Sequence, residues 1–161
     1  MVLGHEGAGI VVEVGEGVTE IAIGDPVVSS FVSMCGKCRY CQTGRPQLCD
    51  QAAKAAYTLP DGTVRTRDLQ GQPLNIFSGC GVMAEVATLH VDNVVKIDKD
   101  IPLDRAALVS CGVMTGVGAV VNTARVAPGS VTVVFGAGGV GLNAIQGCVI
   151  AGAAMIVAVD M

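Results

Sequence analysis

The residues best able to do chemistry in this 161-residue chain are four cysteines packed into "CGKCRYCQTGRPQLC": Cys35, Cys38, Cys41 and Cys49, separated by two, two and seven residues. A zinc ion takes four ligands in a tetrahedron with Zn–S near ~2.3 Å. Short Cys-x-x-Cys steps let one tight turn aim neighbouring sulfurs at a point, and a longer step wraps the last sulfur around. Thiolates at all four corners leave no open position for water, so such a site is structural. An iron–sulfur cluster and plain clustered thiols are the alternatives on spacing alone; the ferredoxin run ends Cys-x3-Cys-Pro, which this loop does not.

A second chemical signal is "VTVVFGAGGVGLNAIQ", Val131 to Gln146. Gly136, Gly138 and Gly141 satisfy Gly-x-Gly-x-x-Gly: the first allows a tight turn, the second lets backbone N–H groups reach a pyrophosphate, and the third lets helix and strand pack closely. An apolar strand precedes the motif, an apolar helix opens near Val140, and Asp160 ends the next strand where a ribose 2′-hydroxyl ligand is expected. A carboxylate there favours NAD, because it repels the 2′-phosphate of NADP. The isolated residues say less. His5, in "LGHEGAG", is on local grounds a structural histidine or a ligand, and Cys111, in "SCGVMTG", reads as core. Nothing in the spacing of Cys80 or Cys148 recommends either as a ligand.

These groups need elements to hold them. "GIVVEV", Gly9 to Val14, reads as a strand, and "GEGV" as the reversal of a hairpin. Val27 to Val32 is a second strand after the Asp25-Pro26 turn. Tyr57 to Pro73 reads as a hairpin around Asp61-Gly62, and "MAEVATLHVDNVVKI" as two short strands. A helix starts with Pro102 near its first turn and continues buried from Cys111 to Val126, ended by Pro128-Gly129. Val131–Phe135 and "MIVAV" are strands of the type buried on both faces. Many short strands followed by alternating helix and strand imply two architectures in one chain.

The net charge of −4 and ten scattered Lys and Arg argue against a nucleic-acid surface. "GCVIAGAAMIVAV" is too short to span a bilayer, and the first residues lack the basic region of a secretion signal. Seven cysteines without such a signal point to a reducing, cytoplasmic compartment.

Together these pieces resemble the zinc-dependent medium-chain alcohol dehydrogenase family, in the family's order: "GHEGAGIV", the four-cysteine loop, "CGVMTGVGAV" and "VVFGAGGVGLNAIQGCVIAGAAMIVAVD". "DGTVR" and "IFSGCGVMAEV" look like its class I and class III branch, which includes glutathione-dependent formaldehyde dehydrogenases. The resemblance implies a GroES-like, β-rich catalytic domain with a structural zinc lobe over residues 1–105. The first βαβ unit of a Rossmann α/β domain follows over 106–161. It makes His5 and Cys111 ligands of a catalytic zinc with Glu6 beside them, and Phe31 a wall of the substrate pocket. Thr115 and Val140 fall near the nicotinamide, and Gly136, Gly138, Gly139, Gly141 and Asp160 at the NAD site. Zinc would stabilise an alkoxide whose carbon passes hydride to NAD.

The expected substrate is a small alcohol or aldehyde, with S-(hydroxymethyl)glutathione as the alternative, and full-length members are homo-oligomers. The family's third catalytic ligand lies about twenty residues before the position of His5. The chain is therefore expected to be an internal piece, inactive alone, with the segment from about Val131 its least stable part. A non-catalytic zinc-binding chain is a second reading, and the zinc-free quinone reductases a third, which the cysteine loop, His5 and Cys111 disfavour.

Overall fold

A computed structural model describes residues 1–52 and 54–161. The chain forms two compact units, Met1–Ser110 and Cys111–Met161.

The first unit is built on a three-stranded antiparallel sheet in the order β1 (Ala8–Ile10), β2 (Pro26–Ser29), β3 (Val94–Lys96). Ala8 lies opposite Val28, and Val28 opposite Val95. The expected pairing of the first two strands is present, but both are shorter than read. Beyond Ile10 the chain keeps only Val11, whose N–H donates to the Asp25 carbonyl at 2.9 Å and whose carbonyl accepts from Gly24 at 2.8 Å. The reversal falls where expected, with Gly17 at φ +80° and Val18 N–H donating to the Gly15 carbonyl. β2 stops at Ser29 because the next carbonyl, that of Ser30, is taken by a side chain, Asn93. Buried Asp25, directly before β2, accepts from Lys96 Nζ of β3 at 2.7 Å and from Ala22 N–H of its own turn at 2.9 Å.

Two expected strand pairs are absent. Asp61-Gly62 does make a tight turn, with Leu59 N–H donating to the Thr63 carbonyl, Asp61 Oδ1 accepting from Thr63 N–H, and Gly62 at φ +79°. A second turn follows, in which Asp68 Oδ1 accepts from the N–H groups of Gln70 and Gln72. Aspartates that satisfy nearby backbone donors compete with a ladder, and of the flanks only Arg67 and Pro73 form a bridge. In "MAEVATLHVDNVVKI" only β3 is a strand. Met83 instead pairs its N–H with the Leu3 carbonyl, and no strand among the described residues lies beside Val86–Leu89.

Helix α1 is one turn, Arg39–Gln42. Helix α2, Leu103–Ala124, is 22 residues long, and the division between the units falls within it. Pro102 stands at its N-cap, and it includes two wide π-type stretches, Val109–Val113 and Ala119–Ala124. It ends before Pro128-Gly129, at Arg125, whose φ of +50° breaks the helical path. The expectation of a buried helix does not hold. Only Ala106, Ser110, Gly116 and Val120 are covered, while Leu108, Val109, Met114 and Val121 face outward. Its mean hydropathy of 1.5 makes it long and apolar enough to cross a membrane by length and composition alone.

In the second unit, β4 (Val131–Phe135), α3 (Gly139–Ile150) and β5 (Met155–Val159) form a βαβ unit with the two strands parallel, Val133 opposite Val157. Gly116 of α2 and Gly147 of α3 are buried at a close approach of the two helices: a Cβ on Gly147 would stand 3.1 Å from Val117 Cα and Val120 Cβ. The strands are covered on one face only. Val131, Val133 and Phe135 are 66%, 53% and 80% exposed, and Met155, Val157 and Val159 continue the same open face. Both strands have the apolar composition of strands buried on both faces, and one helix shields only one side of a two-stranded sheet, in keeping with the weakness expected from about Val131.

Candidate metal and cofactor sites

The four-cysteine loop folds as its spacing suggests. Gly36, at φ +69°, turns the chain between Cys35 and Cys38; Cys38 is the N-cap of α1 and Cys41 lies on it. Gly44, at φ +73°, and the turn Pro46–Leu48 bring back Cys49, which is buried. All four Sγ atoms lie within 4.8 Å of one another, and Cys38 Sγ is 4.0 Å from Cys49 Sγ. A zinc tetrahedron needs sulfurs roughly 3.8 Å apart, so the set fits such an ion with small adjustments. The N–H groups of Cys35 and Gln51 point at Cys49 Sγ, at 3.5 and 3.4 Å, as suits a thiolate. N–H donation, chiefly from Cys41, brings the Cys38 thiol down to about 6. Burial, followed by the hydrogen bond with Cys38, pushes Cys41 up to about 12.

His5 sits on a strap held tightly from both sides. A Cβ on Gly4 or Gly7 would come within 2.8 Å of Met83 or Val82, so glycine is what lets the 82–83 segment lie against it. The hydroxyl of buried Ser29 donates to the His5 carbonyl at 2.8 Å and accepts from Gly7 N–H at 3.0 Å. The imidazole packs edge-on against two rings, Phe31 at 5.4 Å and Phe77 at 5.6 Å. Phe31, expected in a pocket wall, therefore does stand beside His5. Phe77 carried no sequence expectation, and its only signal was its place in "IFSGCG". Glu6 is exposed.

Cys111 and Thr115 belong to the second unit, one helical turn apart, with Sγ 3.8 Å from Oγ1. Cys111 lies on the π-type stretch Val109–Val113, part-exposed rather than in the core. Cys80 and Cys148 are buried apart from the cluster, and burial pushes the Cys80 thiol up to about 11.

The glycine turn has the expected geometry. Gly136 adopts φ +88°, and a Cβ on Gly141 would overlap the Gly136 carbonyl, so helix and turn meet only through glycine. Gly138 is the N-cap of α3 and makes no side-chain cap, Gly139 begins the helix, and Val140 is exposed beside it. Asp160 comes back to this turn: its Oδ2 accepts from Ala137 N–H at 2.5 Å and its Oδ1 from Met161 N–H at 2.7 Å. Those donors, Ala137 first, hold its carboxyl below the usual carboxylate range.

Residues 1–99 match the alcohol dehydrogenase GroES-like domain family. The chain belongs to that family. It is 44% identical to the S-(hydroxymethyl)glutathione dehydrogenase of Paracoccus denitrificans, across 99% of this chain and 43% of that protein. It is equally similar, over the same shares, to the class-3 alcohol dehydrogenase of Cereibacter sphaeroides. The chain thus spans less than half the length of these curated relatives. Among solved structures, the alcohol dehydrogenase zinc-binding domain protein from Burkholderia ambifaria superposes with a TM-score of 0.88 at 40% identity, covering 99% of this chain and 44% of that one. In this GroES-like domain family member the short β1–β3 sheet carries His5 and Phe31 on its flank, and the cysteine loop leaves it after Ser33.

Proposed function

We propose that this chain is the zinc-bearing portion of an NAD-dependent alcohol dehydrogenase, with a GroES-like catalytic domain over residues 1–105 and the opening βαβ unit of a Rossmann domain over 106–161. The split into compact units near Ser110 supports that division, and seven free cysteines suit a reducing, cytoplasmic setting. Cys35, Cys38, Cys41 and Cys49 would hold a closed, structural zinc, and the fit of their four sulfurs is the observation that carries the reading.

By the family pattern His5 and Cys111 would hold a second, catalytic zinc. When bound, zinc supplies Lewis acidity toward an alcohol oxygen, and NAD supplies a hydride acceptor. The chain's own residues orient and exclude. Ser29 fixes the His5 backbone, and Phe31 and Phe77 limit the swing of its ring and keep water from that side. Glu6 adds negative charge beside the site. Gly136, Gly138, Gly139 and Gly141 would let a pyrophosphate approach the backbone closely at the α3 N-terminus, Asp160 would take a ribose hydroxyl, and Thr115 and Val140 would border the nicotinamide.

The substrate is a small alcohol or aldehyde. S-(hydroxymethyl)glutathione is favoured as an alternative by the relative that carries its name. Zinc analysis of the purified protein, paired with NADH formation from a primary alcohol and from S-(hydroxymethyl)glutathione, tests the proposal. Two zinc ions per chain are expected if His5 and Cys111 bind metal. One ion, lost on mutating the cysteine loop, would instead support a zinc-stapled domain that turns nothing over.

A further inference from the structure

Between the end of β2 and the first metal-loop cysteine runs a short strap, Ser30 to Ser33, and Phe31 rides on it against His5. One residue, directly before the neighbouring strand β3 and opposite Ser30, holds both ends of this strap. The Asn93 carbonyl accepts from Ser30 N–H at 2.8 Å, and its side-chain Nδ2 donates to the Ser30 carbonyl at 2.7 Å. The Ser33 hydroxyl donates to Asn93 Oδ1 at 2.6 Å. The orientation of the amide follows from chemistry: a carbonyl can only accept, so the atom facing Ser30 must be the nitrogen, which leaves the oxygen for Ser33.

Asn93 and Ser33 are each 1% exposed. A primary amide that deep costs free energy unless its hydrogen bonds are made, and here the strap makes them. Asn93 is itself fixed at the end of the tight turn Val91–Asn93, its N–H donating to the His90 carbonyl, directly before β3. Between the two anchored ends the Ser30 hydroxyl donates to the Val32 carbonyl at 3.1 Å, so little backbone freedom remains at Phe31.

We infer that Asn93 is a positioning residue for the proposed catalytic site: by clamping Ser30 and Ser33 it sets the Phe31 ring edge-on against His5. The inference rests on the proposed roles of His5 and Phe31, and Asn93 itself touches neither ring.

The test is NMR on the 161-residue protein as purified, without NAD, following the ring resonances of His5 and Phe31. A Phe31→Leu variant supplies the positions of the His5 signals without the neighbouring ring current. Asn93→Asp keeps the volume and the acceptor for Ser33 but places an oxygen against the Ser30 carbonyl. The His5 signals are expected to move toward their Phe31→Leu positions and the Phe31–His5 NOE to vanish, while the amides of Cys38 to Cys49 stay in place. A folded Asn93→Asp protein with unmoved His5 signals overturns the inference, even if its melting temperature falls, because Asn93 would then be merely structural. Should Asn93→Asp fail to fold, Ser33→Ala decides: removing that one hydroxyl is expected to give a partial shift in the same direction, and no shift overturns the clamp. The readout needs no catalytic zinc, so a chain that binds none at His5 defeats the proposed function while leaving Asn93 in its role.

Discussion

A methyl group built on Gly116 would stand 2.5 Å from the Val140 carbonyl oxygen and 2.6 Å from Ala144 N, so α2 and α3 touch backbone to backbone at that point. Gly118, two residues on, meets only Asn122 Nδ2 at 3.8 Å. Gly116→Ala must push the helices apart and is expected to destabilise the second unit by about 1–3 kcal/mol. Gly118→Ala, in a helical conformation with room to spare, is expected to stabilise by roughly 0.5–1 kcal/mol. Denaturant midpoints of the two variants give the comparison; equal shifts would refute the close approach.

Zinc should bind the four-cysteine loop with release of protons, because the metal ligand is the thiolate. In the zinc-free protein the thiols are unequal: Cys38, brought down to about 6, is a thiolate at neutral pH, and Cys41, pushed up to about 12, is not. Iodoacetamide at pH 7.5 is expected to modify Cys38 before Cys41, and zinc to protect both. Mass-spectrometric mapping in the reverse order would contradict the geometry. Cys49→Ser is expected to abolish zinc binding at the loop.

Asp25 carries a pH dependence. Lys96 beside it, and then Ala22 N–H, hold its carboxyl below the usual range in the folded chain. A depressed folded value means that the group binds its proton more readily when unfolded, so its contribution to stability is complete above the ordinary carboxylate value of about 3.9 and is lost as pH falls through the folded value. Asp25→Asn should lower the melting temperature at pH 7 and flatten the acid limb of a melting-temperature profile. A parallel offset at every pH would exclude Asp25 as its source.

Asp160→Ala removes the acceptor of Ala137 N–H. Exchange of the Ala137 amide with deuterium is expected to accelerate without NAD present. If the proposed cofactor site is right, NADH affinity falls on the order of 10–100-fold, the worth of a charge-assisted hydrogen bond. Fast exchange with unchanged NADH affinity would keep the contact and remove Asp160 from the ribose.

The open face of β4 and β5 should drive self-association, since a contiguous exposed apolar patch gains by burial against another copy. Val133→Lys, which places a charge in the middle of that face, is expected to shift sedimentation toward monomer. Hydrogen exchange offers a second check: weak protection across Val131–Phe135 is expected, and strong protection in a monomer would contradict it.

What could be read from the sequence was what is encoded locally. The cysteine loop and the glycine turn are fixed by neighbouring φ angles and by steps of a few residues, so the cysteine spacing and Gly136 and Gly141 announced their geometry in advance, while the turns at Gly36 and Gly44 came from the structure. The surroundings of His5 were not legible in that way. Ser29, Phe77 and Asn93 reach the site from distant positions, and nothing in their immediate neighbours marks them. Burial was misjudged for α2, whose apolar residues say that a partner surface would be favourable, not that this chain supplies one, whereas the open face of β4 and β5 agrees with the weakness expected from about Val131. Strand lengths failed where side chains such as Asp61, Asp68 and Asn93 captured backbone groups that a ladder would have used.

The one-sided cover of β4 and β5 also has a meaning for how these 161 residues would fare if expressed by themselves in a cell. Chaperones and proteases recognise exposed apolar segments, and here such a segment is displayed without any unfolding step. Abundance would then follow the rate at which that face is captured rather than the free energy of opening the rest of the molecule. Changes that strengthen the first unit would lengthen its lifetime little, whereas a single charge at Val133 or Phe135 would lengthen it much more.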